Sequence, residues 1–333
     1  MITIRIFAEI QTSIKYVFNS CVIELRIPFF PESKNAAMWR FKTIIVFIFF
    51  ANYIFSQTDF HRSETELARY NDWFVNSDKF EHRKYALTEF NTQFLQILSA
   101  EGSFDYPFDS LKWISKLIPA DSSIRIFSWQ LMRSQTEFDY FGVVQTRENL
   151  YILQDNKWQN TDTEYEEFTP SNWYGQIYYN IHQYTSDDKT EYLLFGLKIL
   201  KNREKIKTVE ALDIQSGDLK LGKGIFEDTL NQKMYKNRVV LRTSFESNSR
   251  LSYDPELSMI IFDHTIIVPS SREAGAKPLI VADGSYHGYK LNAGKWMFVN
   301  NVFPEKYDEP PVNTPPGDKN KGKLELFKPG KKK

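Results

Sequence analysis

The residue types suited to proton transfer or metal binding gather in two short stretches of this chain. One is Asp263-His264, at the end of an apolar run; the other is Asp283-Gly284-Ser285-Tyr286-His287, further on. An imidazole working with a carboxylate is the pattern of a general base or a metal ligand. Strand side chains alternate, so if Ile261 and Asp263 face one way, Phe262 and His264 face the other. Asp263 and His264 therefore do not pair across one face, and a partner has to come from a neighbouring segment, such as Asp254 or His287. The sharper reading makes Asp263, His264 and His287 the acid/base group of a hydrolase acting on an envelope or extracellular polymer. The plainer one has Asp263 capping the strand exit and His264 packing there half-buried. No HExxH, HxH or spaced-carboxylate pattern supports the sharper reading, so no catalytic residue is assigned, and neither a metal site nor a cofactor is expected.

Asp283 and Tyr286, with Ser285 between them, offer polar groups for a ligand loop. A tight turn explains the same residues, because Gly tolerates positive φ and Asp bonds its own backbone. A nucleophilic serine would want an elbow such as GxSxG, which is absent. The glycines at 217, 222 and 224 spell no phosphate loop. Rings are the other resource. Trp129, Trp158, Trp173, Tyr174, Tyr178, Tyr179 and Trp296 run through the strand-rich part. Exposed on a sheet, rings stack on sugar or peptide, and Trp173 with Tyr174 are the expected members of such a binding face. Rings also favour strand interiors, so most of the others belong to the core.

The elements that must position these groups are legible in outline. Leu87, Phe90, Phe94, Leu95 and Leu98 recur at helical spacing within residues 62–100, and Gly102 and Pro107 end the pattern. A second short helix is expected at Ser110 to Ile118, stopped by Pro119. After Asp121 come short runs rich in Ile, Val, Tyr, Phe and Trp, separated by turn clusters. Strands are expected near 124–132, 138–146, 150–154, 174–184, 191–200, 207–214, 237–245, 257–268 and 295–302. Asp283-Gly284 is read as one of the breaks between strands. With no helix-length pattern among these runs, a parallel sheet is disfavoured. The expected fold is α+β and mainly β: N-terminal helices over residues 57–119 packed on a large antiparallel meander over 120–303, as a sandwich or a strongly curved sheet.

The ends of the chain speak to location. Residues 38–56 hold Arg40 and Lys42, then an apolar run from Thr43 to Phe55, then Ser56 before Gln57. This is the layout of a signal peptide cleaved between Ser56 and Gln57. The run is shorter than the roughly 20 residues a membrane helix takes, so no stable transmembrane span is expected after processing. Residues 1–37 read as a misassigned start or a disordered leader, with Met38 the start of translation. If Met1 is used, an uncleaved 43–55 segment would anchor the chain in the inner membrane. Residues 304–333, with prolines at 304, 310, 311, 315 and 316 and a lysine-rich end, cannot bury enough apolar surface to order themselves and are expected to be a disordered tail.

Composition agrees with export. The one cysteine, Cys21, lies upstream of the apolar run, so the body has no disulfide, thiolate nucleophile or cysteine-ligated metal. The whole chain balances 42 basic against 42 acidic residues, which argues against nucleic acid as a partner.

Four fragments carry a resemblance. Ser128-Trp129 follows the run IRIF; Trp173-Tyr174-Gly175 leads into Ile177-Tyr178-Tyr179; the others are Ile261-Phe262-Asp263-His264 and Asp283-Gly284-Ser285-Tyr286 before His287-Gly288-Tyr289. Across residues 100–302 the chain resembles a family of exported Bacteroidota-type proteins that has no established activity. The resemblance implies export to the periplasm or cell surface and a β-rich body, and supplies no catalytic residue. The expected function is a non-catalytic binding, structural or assembly module, with envelope proteins or glycans as partners.

Overall fold

The computed structural model describes residues 14–18, 21–25, 60–158, 163–215, 217–231, 234–269 and 277–303. The expected signal peptide at 38–56, its cleavage point at Ser56 and Gln57, and the tail at 304–333 lie outside the described residues. The chain divides into two units, Met1–Asp59 and Phe60–Lys333. In the first, β1 (Ile14–Phe18) pairs antiparallel with β2 (Cys21–Leu25). This hairpin falls within the stretch expected to be a leader, and its β-branched and aromatic residues suit a strand.

The second unit opens with two helices, α1 (residues 60–76) and α2 (Phe80–Leu98). Sequence periodicity suggested one helix; the break falls at Ser77, Asp78 and Lys79. Arg83 closes it, donating to the carbonyls of Ser77 at 2.8 Å and Asp78 at 3.2 Å and satisfying groups that a helix end leaves open. No helix forms at 110–118. That segment is too short to nucleate alone, and α1 side chains take its amides: Glu64 accepts from Ser110 N at 2.6 Å and Asn71 from Trp113 N at 3.0 Å. It ends instead as a strand, β3 (Ser115–Leu117).

Strands β4 (Ile124–Ser134), β5 (Glu137–Thr146) and β6 (Leu150–Gln154) follow, giving a first sheet in the order β3-β4-β5-β6. A second sheet runs β10-β9-β8-β7, from β7 (Ile177–Ser186), β8 (Lys189–Ile199), β9 (Glu204–Gln215) and β10 (Asp218–Leu221). After β11 (Phe226–Glu227) and β12 (Tyr235–Lys236), β13 (Arg238–Ser244) joins this second sheet along β9. The third sheet adds β14 (Leu251–Asp254), β15 (Met259–Val268), β16 (Leu279–Asn292) and β17 (Lys295–Val299), in the order β12-β11-β17-β16-β15-β14. Pairing between named strands is antiparallel except for a short parallel contact between Phe226 on β11 and Trp296 on β17. The fold is thus mainly β, with N-terminal helices and one sheet curled strongly into a half-barrel.

Side-chain alternation explains how the layers stack. On β4, Phe127, Trp129 and Leu131 join the helix-side core with Leu87, Phe90, Phe94 and Leu98, while Ile124 and Ile126 turn to a second core. There they meet Tyr178, Leu194, Ile206 and Leu212 of the second sheet. The opposite face of that sheet, with Leu193, Phe195, Val209, Ala211, Val239 and Leu241, packs on Leu251, Ile260, Tyr289 and Trp296 of the third. Because it is covered on both faces, the second sheet reads as continuous apolar runs such as Leu193-Leu194-Phe195.

A buried polar group is built into its centre. Arg238 and Glu210, both fully buried, pair through Nε at 2.9 Å and a second guanidinium nitrogen at 2.6 Å. The other carboxylate oxygen accepts from Gln176 Nε2 and from the Tyr178 hydroxyl, each at 2.8 Å. The guanidinium also donates to the Glu166 carbonyl at 2.8 Å and the Leu221 carbonyl at 3.1 Å. A buried charge is tolerated when it is paired and bonded this fully. Trp173, donating to the Tyr178 hydroxyl at 3.0 Å, is part of the same network.

Candidate functional site

Strand β16 is the longest in the protein's described residues and was not expected, since Asp283-Gly284 looked like a turn. Two-residue register explains the error. Asp263 lies opposite Tyr286, and Thr265 lies opposite Ala282. His264 therefore faces three residues, Asp283, Gly284 and Ser285, which form a bulge inside a continuous strand. Gly284 has φ +89°, the left-handed region glycine enters without a Cβ clash. Bulges of this kind re-aim side chains and recur beside functional sites.

Here the bulge turns the Asp283 carboxylate onto His264, with Nδ1 to Oδ2 at 2.7 Å. The other oxygen accepts the Ser285 backbone N–H at 2.9 Å and its hydroxyl at 2.7 Å. Led by the Ser285 amide and then by His264, these bonds hold the Asp283 carboxyl well below the usual carboxylate range. Asp283 is thus ionised, and in the neutral form of the His264 ring it fixes Nδ1 as the protonated nitrogen and leaves Nε2 with a lone pair.

His287, which pairs across the ladder with Phe262, brings its ring to 4.7 Å from that of His264, nearly edge to face. Its Nδ1 accepts a long bond, 3.4 Å, from the Asn301 amide. That leaves Nε2–H as the donor of the neutral ring. Burial keeps His287 below the ordinary imidazole range, and neighbouring His264 pushes it the same way against the opposing pull of Asp283. The site is therefore a proton acceptor beside a proton donor. The His264 side chain is 41% exposed and that of Asp283 26%, so both are within reach of a ligand.

The acidic partner anticipated from sequence is corrected. Asp263 faces the other side of the strand, as alternation requires, and is buried; its carboxylate accepts the Arg250 amide. Asp254 accepts the amides of Glu256 and Leu257 in its own turn at 3.1 and 3.2 Å. Tyr286 stands next to the group, its ring 5.7 Å from that of Phe303 and its carbonyl accepting Val302 N at 2.8 Å. Trp173 and Tyr174, expected on a binding face, are fully buried and contribute no exposed ring. What sequence reasoning missed is that Asp283 serves His264; only the length of the bulge brings them together.

The arrangement limits its own chemistry. Ser285 gives its hydroxyl to Asp283 and not to an imidazole, so it is not set up as an activated nucleophile. His287, with Nδ1 accepting, presents a proton at Nε2 where a metal ligand needs a lone pair. Among the described residues no group of three or more His, Cys, Asp or Glu is placed to hold a metal ion. No described helix is long and apolar enough to cross a membrane, a statement that does not extend to membrane β-barrels. Comparison of the chain with protein-family models, with curated proteins and with solved structures finds no match.

Proposed function

We propose that this is an exported binding module of the cell envelope that contacts its ligand through His264 and His287. One observation carries the reading: an Asp283-fixed acceptor nitrogen and a donor nitrogen stand side by side on a reachable sheet surface. A hydroxyl group, which both donates and accepts, is the simplest partner for such a pair, and it fits glycans and hydroxyl-bearing side chains of envelope polymers. Export rests on the basic and apolar layout of residues 38–56 and on the cysteine-free body.

The test joins location to contact. Mass spectrometry of the chain recovered from envelope fractions is expected to find Gln57 at its N-terminus. Material co-purifying with the wild-type chain should fall about tenfold in His264→Ala and His287→Ala, the effect of one lost hydrogen bond. An intact Met1 chain in the cytosol, or equal recovery with all three chains, contradicts the proposal.

A hydrolase remains the second reading, favoured by the convergence of both histidines with a carboxylate. In it His264, oriented by Asp283, takes a proton from water or a hydroxyl, and His287 donates toward the developing negative charge. Release of new chain ends from envelope polymer, abolished by His264→Ala, would decide for it.

A further inference from the structure

Of the rings expected on the sheet, Tyr179 on β7 is exposed, at 36%; further exposed rings lie on the helices and on the 110–118 segment. Trp73 is 42% exposed, Tyr85 54% and Trp113 50%. Trp73 and Tyr85, from α1 and α2, meet edge to face at 6.0 Å. Trp73 lines a shallow basin of about 910 Å³. Its floor is the polar stripe Thr65, Arg69, Asp72 and Asn76, spaced to share one face of α1. Beside the basin, outside its lining, Trp113 donates Nε1–H to Asp72 Oδ1 at 3.2 Å; the same oxygen accepts from Asn76 Nδ2 at 2.8 Å.

We infer that this basin is a saccharide-binding site, with Trp73 and Trp113 stacking on sugar rings and Asp72, Asn76 and Arg69 bonding their hydroxyls. The chemistry favours sugar. Exposed indoles normally sit singly, whereas two here flank a stripe of donors and acceptors. An apolar peptide would leave that stripe unpaired, at a desolvation cost. A sugar has an apolar C–H face for the rings and hydroxyls at its edge for the carboxylate and amide. The basin is shallow and open, so a sugar chain would lie across it with one face against a ring. Trp113 is fixed by its bond to Asp72 and its backbone bond to Asn71, so little ring freedom is lost on binding. The inference builds on the binding-module reading for where the protein works. It uses no residue of the imidazole pair, so the two stand or fall separately.

The experiment titrates the full chain with chitotetraose and with cellotetraose, reading tryptophan fluorescence and heat. Saturable binding of at least one probe is expected. Its affinity should weaken about tenfold in Trp73→Ala and in Trp113→Ala. Trp73→Phe, which keeps a ring, should retain most of it, and Glu137→Ala, an exposed change outside the basin, all of it. Thermal melting checks that each variant folds. No saturable binding of either probe overturns the inference. So does affinity unchanged in both tryptophan-to-alanine variants, or affinity lost equally in Glu137→Ala.

Discussion

Replacing Glu210 with alanine leaves the Arg238 guanidinium fully buried without its anion, and the structure sets the size of the effect. Glu210 accepts four hydrogen bonds, from two guanidinium nitrogens, Gln176 and Tyr178. Carbonyl oxygens of Glu166 and Leu221 still face the guanidinium but carry no full charge. Breaking a buried pair by removing one partner costs about 3–5 kcal/mol. A domain of this size loses about 2–4 °C of Tm per kcal/mol, so the variant should melt about 10 °C lower. Chemical unfolding followed by circular dichroism gives the same quantity as a free energy. Glu210→Leu combined with Arg238→Met removes both charges and should recover much of the loss. Glu137→Ala is the control: its bridge to Lys201 is exposed on both sides, and such pairs contribute about 0–1 kcal/mol. If Glu210→Ala costs no more than Glu137→Ala, the middle sheet is not held by a dry ion pair and the layered packing is wrong.

Lys198 is buried against the Tyr174 carbonyl, and burial pulls its amine down to about 8 from 10.5, with Asp155 pulling weakly the other way. Between those values the unfolded chain binds more protons than the folded one, so this lysine's penalty on folding is largest below pH 8 and fades as pH rises. The stability advantage of Lys198→Met over wild type should therefore shrink between about pH 8 and 10, from a span of about 3 kcal/mol; a difference that grows or stays level over that range refutes the assignment. At Gly175, φ is +76° and an added Cβ would lie 2.2 Å from Asp155 Oδ1. Gly175→Ala should cost at least about 2 kcal/mol by urea unfolding, combining left-handed backbone strain with displacement of Asp155. Gly175→Ala with Asp155→Ala should regain part of it, and a neutral single variant contradicts the close approach.

Much of this fold was readable because its signals are local. The run Leu150 to Gln154 matches β6 end to end, and the strand expected near 124–132 starts where β4 does and falls two residues short of its end. The gaps left between the expected strands 174–184, 191–200 and 207–214 hold turn residues, and there Asp187, Asp188 and Arg203 take positive φ. The failures have a common cause, since each needed a distant partner. Ser110 to Ile118 has helical spacing, yet Glu64 and Asn71 reach across from α1 and decide its shape. Asp283-Gly284 has turn chemistry, and does turn, but inside a strand, because β15 pairs on both sides of it. Trp173 has the ring of a binding residue and the position of a core one; composition carries no record of which face a ring takes. The histidines were found by residue type, whereas the carboxylate that serves them was hidden by the same bulge.

The state of the two imidazole rings is the most direct measure of the site. Nitrogen-15 NMR at about pH 8.5, above the ordinary imidazole range, distinguishes a protonated from a bare ring nitrogen. His264 should carry its proton on Nδ1, held by Asp283, and His287 on Nε2. Asp283→Asn should shift the His264 pattern while leaving that of His287 in place. The same nitrogen protonated in both rings, or a His264 pattern indifferent to Asp283→Asn, would mean there is no acceptor beside a donor and no basis for the contact proposed.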